Sequence, residues 1–337
     1  MNLKELAAHL GLSQTTVSRA LNGYPEVAEA TRLRVREAAQ RHGYRPNARA
    51  RSLATGRSLT LGHVLSATGP GALTAPGCAG FVAGCGAACR EAGYEMLLSV
   101  AHDAAEEETA YRELAARRAV DGVIVHAPRE NDPRPALLAG LGLPFAVHGR
   151  TGAPEDSYQW VDENHRRSVR LALNSLAGLG HLRIALINGP EDDLQAAQRL
   201  HWVLRLTRKI GLDLAPAHIV ATDLSEAAAR DAAQRLLAAD APPTAFLAAS
   251  AASGIGVRRA LAERGATPGR EASLIVFDAG PGDPSVTALR YPAESAGRRA
   301  AELLLKRIAQ PGTASAPALI GADFVEGAST GPAPQDA

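Results

Sequence analysis

The chain has 337 residues, 21% of them charged, and a formal net charge of +1; that length suits two or three domains. No apolar segment is long enough to span a bilayer and the amino-terminal residues lack a secretory h-region, so the expectation is a cytoplasmic protein. The charge is uneven: residues 1–60 carry ten Lys/Arg against four Asp/Glu, net +6, and residues 61–337 carry 26 against 31, net −5, a basic head on an acidic body.

In chain order, Asn2 can cap a first helix with Glu5 at its N3 position, and Leu3, Leu6, Ala7 and Leu10 supply its buried stripe. Gly11 permits a tight corner. Ser13 caps a second helix that turns Val17, Ala20 and Leu21 inward and leaves Gln14, Thr15, Thr16, Ser18 and Arg19 on or near an exposed polar face. Such a pair of helices presents side chains to the DNA major groove. Gln14 and Arg19 have the reach and donor geometry for purine edges, and Thr15 offers a hydroxyl or a methyl. Ser13 and Thr16 sit where phosphate contacts fall, beside the free amides of a helix start. A third helix is predicted over about Glu26–His42, with Val27, Thr31, Val35 and Ala38 one turn apart; Gly43 ends it and Tyr44 folds back on the small core.

The segment Arg45–Arg57 follows. Asn47 can cap a helix of about two turns, too short to persist alone in water. Its arginines suit phosphates. Leu53 is an apolar side chain on a basic linker, and it either covers the body or wedges between base steps in the minor groove.

From Leu59 the period changes. Strands are predicted at about 59–65, 94–99, 120–126 and 143–148, with helices over about 78–92, 105–118 and 135–139. After residue 160, helices at about 164–178, 194–210, 226–238 and 253–264 alternate with strands at 182–187, 217–220, 244–248 and 273–277. A last helix at about 292–310 brings the chain back between lobes, followed by short strands ending near Phe324. This alternation describes two parallel α/β units with a ligand cleft at the carboxyl ends of their strands. Cys78, Cys85 and Cys89 fall in one helix and read as packing, with no metal-ligand set around them. Neither a phosphate loop nor a nucleophile elbow is present, so no enzyme, cofactor or metal is expected.

Head, linker and body together resemble a lactose-repressor-type (LacI/GalR) transcriptional regulator over residues 1–329. The resemblance is carried by Leu12–Asn22, by Gly43-Tyr44-Arg45-Pro46-Asn47-Ala48 with Leu53 downstream, by Val120-Asp121-Gly122, by Leu179-Gly180-His181 with Ile184-Ala185, by Asn188-Gly189-Pro190 and by Phe277-Asp278. It implies an all-α helix-turn-helix DNA-binding head (residues 1–45), a hinge helix and linker (46–58), and a two-lobed α/β effector and dimerisation domain like periplasmic binding proteins of type I (59–329). Residues 330–337, without heptads, read as a disordered tail. The implied DNA-binding set is Ser13, Gln14, Thr15, Thr16, Ser18, Arg19 and Asn22 in the head. Asn47, Ala50 and Leu53 join it from the linker, where Leu53 takes the place of the inserted leucine and Ala50 lets two hinge helices of a homodimer approach on a palindromic operator.

For the effector the resemblance implies contacts from His148, Arg150, Arg199, Ser250 and Asp278. Trp160 either stacks on a pyranose face or packs in the core. Ser250-Ala251 and Asn164-His165 stand where the family commonly has Asn-Asp and Asp-Asn, which removes carboxylates from near the cleft. Gly23-Tyr24-Pro25-Glu26-Val27 and His148-Gly149-Arg150 are similar to the branch that controls alpha-glucoside use. The implied function is a repressor of carbohydrate-utilisation genes, released from its operator by a small sugar. The alternatives are a sugar- or purine-responsive co-repressed regulator or activator, a solute-binding receptor, and a saccharide-processing enzyme.

Overall fold

The computed structural model describes residues 1–21, 24–44, 56–67, 76–151, 158–277, 283–312 and 316–334. Asn22, Asn47, Ala50, Leu53 and Asp278 lie outside that set, as does most of the expected hinge helix.

The head contains α1 (Leu3–Leu10), α2 (Gln14–Leu21) and α3 (Glu29–Arg41). The capping box is formed as predicted: Asn2 Oδ1 accepts from Glu5 N at 3.0 Å, and Asn2 N donates to Glu5 Oε2 at 2.9 Å. Gly11 closes α1 in the left-handed region at φ 65°. Thr16 N donates to Ser13 Oγ at 3.0 Å, which caps α2. Leu6, Val17, Ala20, Val35 and Ala38 are buried together, and Tyr44 packs on them. α3 starts three residues later than expected. The chain first makes a turn closed by Val27 N donating to Tyr24 O, which buries Val27 outside the helix.

The body has two lobes. The first runs β1 (Thr60–Ser66), α4 (Pro76–Glu91), β2 (Glu95–Ala101), α5 (Ala104–Ala116), β3 (Gly122–His126), α6 (Arg134–Gly140), β4 (Phe145–His148) and β5 (Gln159–Glu163). The second runs α7 (His165–Gly178), β6 (Ile184–Asn188), α8 (Leu194–Ile210), β7 (Ile219–Ala221), α9 (Glu226–Leu237), β8 (Ala245–Ala248), α10 (Ala251–Glu263), β9 (Ser273–Phe277) and β10 (Thr287–Arg290). The chain then returns to the first lobe as α11 (Ala293–Ala309) and β11 (Ala318–Ile320), and crosses again into β12 (Asp323–Val325). The first sheet has the order β11-β5-β4-β3-β1-β2 and is parallel throughout. The second, β12-β10-β9-β8-β6-β7, is parallel except for β12. Strands β5 and β10 were not anticipated; each is short and runs straight into a crossover.

Both faces of each sheet are covered. In the first lobe Leu61, Phe81, Ile124 and Leu304 are buried on one side and Tyr111, Val125, Phe145 and Trp160 on the other. α4 and α11 meet at backbone distance: a Cβ on Gly84 would lie 1.9 Å from Glu294 O. Cys85 is buried in the same contact and its Sγ donates to Gly297 O, while burial pushes the Cys89 thiol up to about 11. These thiols pack, as predicted. No helix among the described residues is long and apolar enough to cross a membrane.

The expectation of a disordered tail is corrected over Thr330–Pro334. Gly331 N donates to Ser273 Oγ, Ala333 N donates to Leu179 O, and Gly331 O accepts from the buried His181. The segment is held because it satisfies polar groups that α7 and β9 leave inside the second lobe. Residues 335–337 lie outside the described set.

Candidate ligand site and nucleic-acid interface

A cavity of about 290 Å³ opens between the lobes at the carboxyl ends of both sheets, where parallel strands place their loop residues. His126 and His148, the last residues of β3 and β4, and Asp162 and Glu163 at the end of β5 form the wall from the first lobe. Asp193, Gln195, Arg199 and Ser250 form the wall from the second, and Tyr291 stands in the crossover between them.

Each polar group is aimed from behind. Arg199 is 8% exposed, its Nη1 donates to Asn188 Oδ1 at 2.7 Å, and its guanidinium lies 5.2 Å from the Phe277 ring centroid. Ser250 caps α10, accepting from Ser253 N at 3.1 Å. Asp193 caps α8 in the same way through Ala196 N. Gln195 Oε1 is 2.6 Å from His165 Nε2, and Ser168 Oγ donates to Glu163 at 2.7 Å.

The imidazoles are held neutral. Burial first, then the neighbouring His126 and His63, lowers the His148 pKa well below the usual histidine range. Burial and the Arg134 guanidinium lower His126 to about 4. Arg134 is buried in an ionic cluster, with Nη1 2.7 Å from Glu107 and Nη2 2.6 Å from Asp132. It also donates to Ala127 O at 3.1 Å, and so secures a cavity-lining residue whose φ is 46°.

Of the anticipated effector residues, His148, Arg199 and Ser250 come together on the cavity wall. Trp160 does not: it is buried in the first-lobe core at 3% exposure, the packing alternative. Arg150 stands behind the wall, its Nε 2.7 Å from Asp162 Oδ2 and its guanidinium 5.2 Å from the Trp160 ring centroid. Asp278 is outside the described residues. The anticipated loss of carboxylates is offset by Asp162, Glu163 and Asp193, all of which line the cavity. His126, Asp162, Gln195 and Tyr291 were missed. His126 had a readable signal, because it ends a predicted strand as His148 does; Tyr291 had none, because β10 was not foreseen.

In the head, Ser13, Gln14, Thr15 and Arg19 are exposed and Thr16 and Ser18 half-buried along α2. Arg19 makes a loose ion pair, 3.8 Å, with the exposed Glu26, and such pairs open at little cost.

Comparison with known proteins agrees with both halves. Residues 2–47 match the model of the bacterial regulatory proteins of the lacI family, and residues 173–330 match a periplasmic binding protein-like domain. The chain is 40% identical to the HTH-type transcriptional regulator AglR of Rhizobium meliloti (strain 1021), over 99% of this chain and 95% of that one. Its structure is similar to a complex of the transcriptional regulator CelR with cellobiose, at 29% identity, TM-score 0.72, and 98% and 99% coverage of the two chains. At the level of fold alone it also resembles the Lac repressor dimer bound to operator and the anti-inducer ONPF, at 24% identity, TM-score 0.78, and 98% and 99% coverage.

Proposed function

The chain belongs to the lacI family of bacterial regulatory proteins, and from that membership we propose how it works. It is a sugar-responsive transcriptional repressor of carbohydrate-utilisation genes and not an enzyme. In the proposed cycle, a homodimer grips a palindromic operator through paired α2 helices, and a saccharide in the interlobe cavity changes the placement of the lobes and releases the DNA. One observation carries the effector half. The cavity wall is divided between the lobes, with His148 on one side and Arg199 and Ser250 on the other, so that an occupant bridging them has different contacts in the open and closed arrangements.

We assign base contacts to Gln14, Thr15 and Arg19 and phosphate contacts to Ser13 and Thr16, with Ser18 and Asn22 completing the surface. Asn47, Ala50 and Leu53 belong to the hinge. Replacing Leu53 by Ala should weaken binding to the specific palindrome far more than to random duplex. Equal losses on both would remove the wedge.

An uncharged sugar is the fitting effector. Asp162, Glu163 and Asp193 face a cavity whose one lining guanidinium among the described residues, Arg199, is already engaged by Asn188, which disfavours a phosphorylated ligand. Polyol hydroxyls suit carboxylates that accept and a guanidinium that donates. Within that class we favour an alpha-glucoside, on the resemblance of His148-Gly149-Arg150 and the residues around Tyr24. DNA retardation with the upstream region of the gene, repeated with maltose, trehalose, sucrose, cellobiose and glucose 6-phosphate, is the direct test. Release by an alpha-linked glucoside is expected. Release by cellobiose alone would overturn the anomeric assignment, and tightening would reverse the sign of the coupling.

For the dimer, the surface we favour is the outer edge of the first sheet. There β2 ends the strand order and exposes Leu98 and Val100 at 47% and 49%, an open edge of the kind that pairing with a second copy would cover.

A further inference from the structure

Two imidazoles and a phenol form a hydrogen-bonded chain from the cavity wall to the crossover between the lobes. His126 and His148 pair in register at the ends of neighbouring strands β3 and β4, with their Nδ1 atoms 3.0 Å apart. On its other side His148 Nε2 is 2.9 Å from the Tyr291 hydroxyl oxygen. Phe81 stacks on His148 with ring centroids 4.2 Å apart and an interplanar angle of 21°, which fixes that ring's plane. His126, His148 and Tyr291 all line the cavity, and His126 Nε2 has no hydrogen-bond partner among the described residues.

A bond between two Nδ1 atoms requires one to carry the proton and the other to offer a lone pair. Burial and the guanidinium of Arg134 disfavour a charged His126, and burial with the adjacent rings does the same for His148. Each ring therefore holds one proton, and fixing one tautomer fixes the other. The chain has two directions. In the first, the Tyr291 hydroxyl donates to His148 Nε2, His148 Nδ1–H donates to His126 Nδ1, and His126 presents Nε2–H to the cavity. In the second, His126 presents an Nε2 lone pair, its Nδ1–H donates to His148, and His148 Nε2–H donates to the Tyr291 oxygen, so that the phenolic hydrogen turns away from His148.

We propose that Tyr291, His148 and His126 act as one proton-ordered relay, through which a polar group of an uncharged effector at His126 Nε2 sets the hydrogen-bond direction at the crossover between the lobes. The effector part rests on the sugar-responsive reading of the same cavity. His126 thereby joins Asp162 and Glu163 among the first-lobe residues that face the ligand. An acceptor-only oxygen, such as a ring or glycosidic oxygen, selects the first direction, and a hydroxyl that donates selects the second. Tyr291 is a positioning residue. It follows β10 directly and precedes Pro292 and α11, so the bond it makes to His148 ties the second crossover to the first lobe.

The test is multiple-bond proton–nitrogen NMR on the full chain labelled with nitrogen-15 histidine at pH 7.5, free and with saturating maltose, trehalose or sucrose. His126→Gln and His148→Gln variants assign the signals. In the free wild type, His126 and His148 should be neutral and in opposite tautomers, one Nδ1–H and one Nε2–H. Tyr291→Phe, which keeps the ring and removes the hydroxyl, should shift the tautomer populations. It should also raise the saccharide concentration for half-release of DNA by about three- to tenfold, the range for one hydrogen bond. Identical tautomers in the free wild type, or populations indifferent to Tyr291→Phe, would overturn the relay. A sugar that releases DNA without changing either tautomer would overturn its role in reading the ligand. If no saccharide releases DNA, the sugar-responsive reading fails on its own, and the ligand-free comparison still decides the relay.

Discussion

Arg199 Nη1 lies 2.7 Å from Asn188 Oδ1, and Asn188 Nδ2 donates in turn to Ala196 O at 2.9 Å. The last residue of β6 thus holds both the guanidinium that faces the cavity and the first turn of the helix that carries it.

That clamp predicts a separation of functions. Asn188→Ala removes the bond that Asn188 makes to Arg199 without touching the head, so effector affinity should fall by about 1–3 kcal/mol, the cost of unmaking a buried hydrogen bond to a charged group. Operator affinity without effector should be unchanged. Calorimetric titration of the sugar alongside DNA retardation reads both, and an unaltered sugar affinity would refute the clamp.

On the DNA side, Gln14→Ala or Arg19→Ala should cost about 1–3 kcal/mol on the specific operator and relax discrimination at one base position. Thr16→Ala should weaken specific and random duplex about equally, as a phosphate contact does. Binding measured against a library of single-base operator variants separates the two patterns.

The close approach of α4 and α11 leaves no room at Gly84. Gly84→Ala places a methyl 1.9 Å from Glu294 O, so the helices must part, and the first lobe should lose about 1–3 kcal/mol or more. Gly86→Ala, on the same helix with nothing within 4 Å of the added carbon, is the control and should be neutral or slightly stabilising. Thermal melts of the pair decide it.

The histidine cluster predicts acid sensitivity. His63 is fully buried with both ring nitrogens unpartnered, and burial, His126 and Arg134 lower it to about 3; His126 is lowered to about 4. Between pH 6.5 and those values the unfolded chain binds protons that the folded chain refuses, so stability falls as pH falls, by up to about 1.4 kcal/mol per pH unit for each group. Above pH 6.5 these groups add no slope. His63→Leu should be at least as stable as wild type at pH 7.5, since it removes two unsatisfied buried atoms, and should lose less stability down to pH 4.5. Denaturant melts across that range with identical slopes for both proteins would reject the assignment.

The ordered carboxyl-terminal segment gives a last expectation. Truncation after Ser329 leaves His181 and Ser273 without the Gly331 backbone, and the second lobe should lose about 1–3 kcal/mol. An unchanged melting temperature would restore the reading of that segment as a tail.

Local chemistry was sufficient for the elements and for the head. The Asn2–Glu5 box, the Gly11 corner and the Ser13 cap are contacts within a few residues, and α8 and β9 were predicted residue for residue, because periodicity and caps act over one or two turns. That the body forms two parallel α/β units followed from the alternation of elements, and with it the cleft at their carboxyl ends, whereas the order of strands in each sheet came from the tertiary structure. What tertiary structure alone decided was which side chains meet there. Trp160 had two readings in the sequence, stacking on a sugar or packing, and Arg150 one, a cleft contact; the fold buries Trp160 in the core and sets Arg150 against Asp162. His126 and His148 end two strands and Tyr291 lies in a crossover, places spread over more than half the body. Their meeting depends on strand register and on where β10 hands the chain across, long-range relations that no pattern of neighbouring residues encodes.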